Sequence, residues 1–241
     1  MRYFIELSYK GTNYHGWQIQ PDASSVQEEV NKAISTILQE EIQVVGAGRT
    51  DAGVHASQMF AHFDSLSNLS DEHIYKFNSI LPNDIVIHSI KNVLDNKHAR
   101  FDAISRSYEY RIYLGRSPFL LDTTWQFHQK ELDLEKMNEA ASILLEYEDF
   151  ESFSKVKTDV KTFNCEVTKA AWKQEGEHLT FYISANRFLR NMVRAIVGTL
   201  IEVGLHKKSI QDFIQIVESK KRSEAGLSVP AQGLFLTKIK Y

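Results

Sequence analysis

The nine residues Gly48-Arg49-Thr50-Asp51-Ala52-Gly53-Val54-His55-Ala56 gather a carboxylate, a guanidinium, a hydroxyl and an imidazole between two glycines. Glycine permits tight turns and close backbone approach to a ligand. A carboxylate presented at such a turn can serve as nucleophile or base. The plainer reading is an Asx-turn, in which Asp51 only bonds nearby backbone. His55, His62 and Asp64 supply metal-ligand types within a short span, but no helical His-x-x-x-His spacing accompanies them, so no metal site is expected. Arg187, Arg190 and Arg194 recur at i, i+3 and i+7, with Asn191 beside them. On a helix that spacing puts all three on one face, turned to phosphates, to an active-site carboxylate or simply to water. Tyr108 and Tyr110 alternate in Ser105 to Arg111 among arginines. Rings beside cations suit base stacking and phosphate contact, although core packing is the commoner use of such a pair.

These groups need elements to hold them. Residues 2–9 alternate like a strand, and residues 10–24 read as a loop carrying Gly11, Gly16 and Pro21. Ser25-x-x-Glu28 is a capping box that opens a helix with Val26, Val30, Ala33, Ile34, Ile37 and Leu38 on one side. Strands follow at 42–47 and 57–63, a helix at 70–81 stopped by Pro82, and a strand at 84–93. This β-α-β-β-α-β order is the ferredoxin-like pattern. Further on, strands are expected at 106–114, 166–173, 179–185 and 234–239, and helices at 133–147, 188–203 and 210–219. The class is α+β with mainly antiparallel pairing. Two halves are expected: 1–104, carrying the aspartate loop, and 105–241, carrying the tyrosines and the arginine stripe.

The bulk numbers narrow the class. With 241 residues, 43% hydrophobic and 24% charged, the chain can bury a sizeable core. A single cysteine, Cys165, excludes an intrachain disulfide framework and a thiolate zinc cluster. No signal-peptide core and no apolar run near the roughly 20 residues of a membrane span are seen, so a cytoplasmic protein is expected. The net charge of −3 argues mildly against a nucleic-acid partner, but it is unevenly spread. Ser184 to Arg222 holds eight basic and three acidic residues, whereas Glu131 to Glu151 holds eight acidic and one basic. A basic face can therefore still meet a polyanion.

Taken together, the segments carry a resemblance that runs nearly end to end. Tyr9-Lys10-Gly11-Thr12-Asn13-Tyr14-His15-Gly16-Trp17-Gln18-Ile19-Gln20 and the Gly48 to Ala56 loop are two of them. His98-Ala99-Arg100-Phe101 with Arg106-Ser107-Tyr108 is a third. Ala185-Asn186-x-Phe188-Leu189 with Met192-Val193-Arg194, and Pro230-Ala231-x-Gly233-Leu234, complete the set. The chain resembles the tRNA pseudouridine synthase A family. It departs at Lys10, often Asp there, at Glu148, commonly His, and in the approach Gly226 to Val229.

The resemblance implies two ferredoxin-like or RRM-like halves around a continuous, mainly antiparallel sheet with an RNA-binding cleft. It implies a homodimer without metal or organic cofactor that converts uridine to pseudouridine at positions 38, 39 and 40 of the tRNA anticodon stem-loop. Asp51, Tyr108 and Arg194 are then the catalytic set. Asp51 is expected as nucleophile, Tyr108 as the ring that stacks on the target base and helps to move the C5 proton, and Arg194 as the partner that keeps Asp51 ionised and oriented. Arg49, Arg187 and Arg190 are expected on RNA phosphates. Rival readings are a synthase for another RNA position, a non-catalytic RNA-binding module, and a hydrolase that uses Asp51 on a nucleoside or sugar.

Overall fold

The computed structural model describes residues 1–128, 131–156 and 160–241. The chain divides into two compact units, Met1–Ile104 with Phe235–Tyr241, and Ser105–Leu234.

The first unit runs β1 (Arg2–Tyr9), α1 (Val26–Leu38), β2 (Val45–Gly46), β3 (His55–Asp64), α2 (Glu72–Ile80) and β4 (Ile85–Val93). Strand β1 lies between β4 and β3 and is antiparallel to both. Its odd residues Tyr3, Ile5, Leu7 and Tyr9 are buried, as the alternation predicts. The other edge of β3 takes β2 at Val45↔His62 and Gly46↔Ala61. It takes β9 (Leu234–Lys240) in parallel at His55↔Phe235 and Ala56↔Leu236. The last strand, expected with the C-terminal half, thus packs mostly within the first unit.

Helix α1 starts at the expected cap, with the Ser25 hydroxyl accepting from the Glu28 N–H. It buries Val26, Val30, Ala33 and Ile34. It also buries Gln27 and Asn31, and these two explain why the strand expected over 42–47 shrinks to two residues. Gln27 Nε2 donates to the Val44 carbonyl at 2.7 Å, and the Val44 N–H donates to Asn31 Oδ1 at 2.8 Å. Ile42 N–H donates to Ser35 Oγ at 2.9 Å. Helix side chains satisfy this backbone, so no ladder is needed.

The second unit runs β5 (Ser105–Leu114), β6 (Trp125–Phe127), α3 (Leu134–Ile143), β7 (Val167–Glu175), β8 (His178–Ala185), α4 (Met192–Gly204) and α5 (Ile210–Ser219). Strand β8 is antiparallel to β5 and to β7, and β6 adds to β5 in parallel. β6 is too short for sequence periodicity to register. Helix α4 buries eleven residues, from Met192 to Gly204. Such all-round apolarity marks a core helix.

Candidate active site

The aspartate loop joins β2 to β3 and is hydrogen-bonded to the segment 9–17. Asp51 lies half-buried between two fixed neighbours. On one side the Thr50 hydroxyl bonds the Tyr9 phenol at 2.8 Å, and the Thr50 carbonyl accepts from the Trp17 N–H at 3.4 Å. On the other, the Gly53 N–H donates to the Tyr14 carbonyl at 3.2 Å, and the Val54 N–H closes a turn onto the Asp51 carbonyl at 3.1 Å. Gly16 has φ +93°, and a Cβ there would come within 2.2 Å of the Thr50 carbonyl oxygen. Only glycine lets the two segments approach this closely. Tyr14 is held in turn by Asp84, whose carboxylate accepts from its phenol at 2.6 Å. Burial and this bond raise the Tyr14 phenol well above its ordinary pKa.

His55 leaves the loop on β3 and is 1% exposed. Its Nδ1 accepts from the Gly11 N–H at 2.9 Å, and its ring stacks on Phe235 at 4.5 Å. His62 Nδ1 accepts from the Ala99 N–H at 3.2 Å, and Asp64 takes a two-pronged bond from Arg2 at 2.9 and 2.8 Å. Each ligand type in the metal alternative therefore serves local structure. Arg49 is exposed on the same loop.

In the second unit Tyr108 and Tyr110 share a face of β5 but not a fate. Tyr110 is fully buried and donates to the Pro230 carbonyl at 2.8 Å. Burial drives its phenol far upward, with Arg194 opposing the rise. It is the core tyrosine of the plainer reading. Tyr108 is half-buried, with Phe188 edge-on to its ring at 5.0 Å. Arg194 lies in the first turn of α4, half-buried, with Nε donating to the Val229 carbonyl at 2.7 Å.

The arginine stripe needs a correction. Helix α4 begins at Met192, four residues later than expected, and Asn191 before it is left-handed at φ +68°. A residue in that conformation ends helical continuity. Arg187 and Arg190 therefore sit on the connection from β8 and do not share a helix face with Arg194. Arg190 is exposed, and the half-exposed Arg187 donates to the Thr162 carbonyl at 3.3 Å. Within the first unit stand Asp51 and Arg49. Within the second stand Tyr108, Arg187, Arg190 and Arg194.

In the sequence Tyr14 and Trp17 stand out only within the family motif, Tyr9 also as a strand residue and Gly16 also as a loop glycine. Their work is to clamp the aspartate loop. The signal lay in two glycines and three aromatic residues packed into nine positions, which is too rich for a solvated loop.

Comparison with known proteins places the chain. A family model described as tRNA pseudouridine synthase matches residues 140–241. The tRNA pseudouridine synthase A of Bacteroides thetaiotaomicron is 52% identical over 244 residues, covering 100% of this chain and 90% of that protein. That of Porphyromonas gingivalis is 52% identical over 246 residues, covering 100% and 97%. The chain belongs to the tRNA pseudouridine synthase A family. A more distant relative, the tRNA pseudouridine synthase A of Acetivibrio thermocellus, keeps 40% identity over 237 residues, 98% of this chain and 97% of that protein. Membership makes the protein a pseudouridine synthase, an isomerase. Among the described residues no helix is long and apolar enough to cross a membrane.

Proposed function

We propose that this synthase isomerises uridines 38, 39 and 40 in the anticodon stem-loop of tRNA, with Asp51 as nucleophile. The reading is supported above all by the loop around Asp51, which is pinned at Thr50, Gly53 and Val54 while Asp51 itself is only partly buried. A group fixed in this way is preorganised for attack and pays little to reach its reacting geometry.

The reaction breaks the bond from ribose C1′ to uracil N1 and forms one from C1′ to C5. The C5 proton leaves to solvent and N1 takes one up, so atoms and electrons balance without an oxidant or a cofactor. An ionised carboxylate suits the reaction whether it adds to C6 of the base or acts at C1′. Arg194 is its proposed counter-charge, with the planar guanidinium giving direction as well as charge. Tyr108 stacks on the uracil, which must leave the helix stack at a cost of a few kcal/mol. Arg49, Arg187 and Arg190 offset that cost on phosphates. The proposal includes a cytoplasmic homodimer. It also includes two halves of ferredoxin-like or RRM-like type around one sheet with an RNA-binding cleft. The β4-β1-β3-β2 order of the first unit fits that type.

The test is tritium release from unmodified tRNA labelled at uridine C5, with no metal or cofactor added, for the wild type beside Asp51→Asn. Release by the wild type alone, mapped to positions 38 to 40, is the expected result. Asp51→Asn is expected to keep tRNA affinity within about three-fold, because it loses a reacting group and not a binding one. Near-normal turnover by Asp51→Asn would sink the nucleophile assignment. Product at another position would move the enzyme to a different RNA target.

A further inference from the structure

Arg194 is fixed by a strap, residues 225–229, that runs along α4 in the opposite direction. Val229 grips Arg194 twice, accepting from its Nε at 2.7 Å and donating its own N–H to the Arg194 carbonyl at 3.2 Å. Ser228 Oγ accepts from Asn191 Nδ2 at 2.6 Å, which ties the strap to the residue just before the helix. At its other end the Gly226 N–H donates to Thr199 Oγ1 at 2.9 Å. A Cβ on Gly198 would come within 1.9 Å of the Leu227 carbonyl oxygen, so strap and helix are in backbone contact.

What shapes the strap is a second arginine. Arg222 Nη1 donates to the carbonyls of Ala225 and Gly226 at 3.2 and 3.0 Å, and Nη2 donates to Ser228 Oγ at 2.9 Å. The guanidinium is half-buried, and burial depresses its pKa. Three bonds from one rigid fork, spread over residues 225 to 228, set the curve of the strap and hence the position of the Val229 carbonyl. A lysine ammonium lacks that fixed geometry.

We infer that Arg222 is a positioning residue for Arg194, acting through the strap from Ala225 to Val229. It touches no substrate in this role. It fixes the carbonyl that fixes the Arg194 guanidinium, and the inference rests on the proposed part of Arg194 in the reaction. Its loss therefore matters only while Arg194 is there to be positioned.

The experiment is a double-mutant cycle on the full-length enzyme with tRNA, read as single-turnover rate, tRNA Kd and Tm. Arg222→Met is expected to lower the rate roughly 10- to 100-fold, the cost of a misplacement of about 1 Å in a catalytic constellation. Affinity should stay within about three-fold, and Arg222→Lys should recover only part of the rate. In an Arg194→Lys background, where no Nε is present, Arg222→Met should cost less than about two-fold more. A wild-type rate for Arg222→Met, or the same factor in both backgrounds, would overturn the inference. Arg194→Lys at wild-type rate would instead overturn the reading of Arg194 itself, and the cycle separates the two. Should Arg222→Met not fold, Arg222→Lys takes its place in the same cycle, with a smaller loss of rate but the same non-additivity expected and the same outcomes decisive.

Discussion

Arg194 and Tyr108 are half-buried side chains whose surroundings dictate what a substitution does. Arg194→Lys keeps the positive charge but loses both the planar fork and the Nε–H that holds the Val229 carbonyl. It should cost about 100-fold or more in single-turnover rate while the Tm moves by only a few degrees. An unchanged rate would remove Arg194 from the reaction. Tyr108→Phe keeps the ring that meets Phe188 edge-on and loses only the hydroxyl. If the ring's work is stacking, this variant should keep tRNA affinity within about two-fold, whereas Tyr108→Ala should lose about 1–3 kcal/mol of it. Equal affinity for both variants would exclude stacking.

At the level of elements, the loop and its clamp form one device. Gly16→Ala places a methyl against the Thr50 carbonyl at a φ that alanine avoids. It should destabilise the protein by more than about 1 kcal/mol and reduce turnover more than affinity. Retained activity with an unchanged Tm would mean that the clamp does not fix Asp51. Much of this device was legible in the sequence. The alternation of Tyr3, Ile5, Leu7 and Tyr9 gave β1, and the Ser25 cap gave α1. The reactive types packed into Gly48 to His55 gave the loop. The failures have physical causes. Val44 reads as strand, yet Gln27 and Asn31 consume its hydrogen bonds, and no periodicity reports a partner on another element. Arg187 and Arg190 read as helix because Phe188 and Leu189 are apolar, yet Asn191 turns left-handed just before α4 and splits the stripe. The role of Arg222 was equally hidden. Its three acceptors are two backbone carbonyls and a serine hydroxyl, which leave no mark in the charge pattern.

For the whole molecule, charge and pH are the levers. The net charge of −3 does not prevent RNA binding if the arginines act locally, but it makes that binding depend on counterion release. Affinity for tRNA should fall steeply with salt, and removing Arg187 or Arg190 should reduce the slope by about one each. A flat response would exclude phosphate contact by these residues. Stability should respond to acid through His62, which is 4% exposed and whose ring edge meets His98 at 4.5 Å. Burial first, then the charges of His98 and Arg2, lowers its pKa to about 4. Its lone pair on Nδ1 is occupied by the Ala99 N–H, which a proton would displace. Between pH 6.5 and 4 the unfolded chain binds a proton at this position that the folded chain does not. Stability from this group is therefore complete above about pH 6.5 and declines as the pH falls towards 4. His62→Asn, which keeps an acceptor but cannot titrate, should flatten that part of the profile in chemical denaturation. An unaltered slope would acquit His62.

The parallel pairing of β9 with β3 also sets a clock. The strand that leaves the aspartate loop finds its last neighbour very late, with Ser57 and Leu236 separated by 179 residues. At a synthesis rate of roughly 5–20 residues per second, His55 waits on the order of ten to forty seconds for the ring of Phe235 that covers it. A nascent chain still on the ribosome thus carries its aspartate loop without its final support, and a chain released short of Phe235 never acquires it.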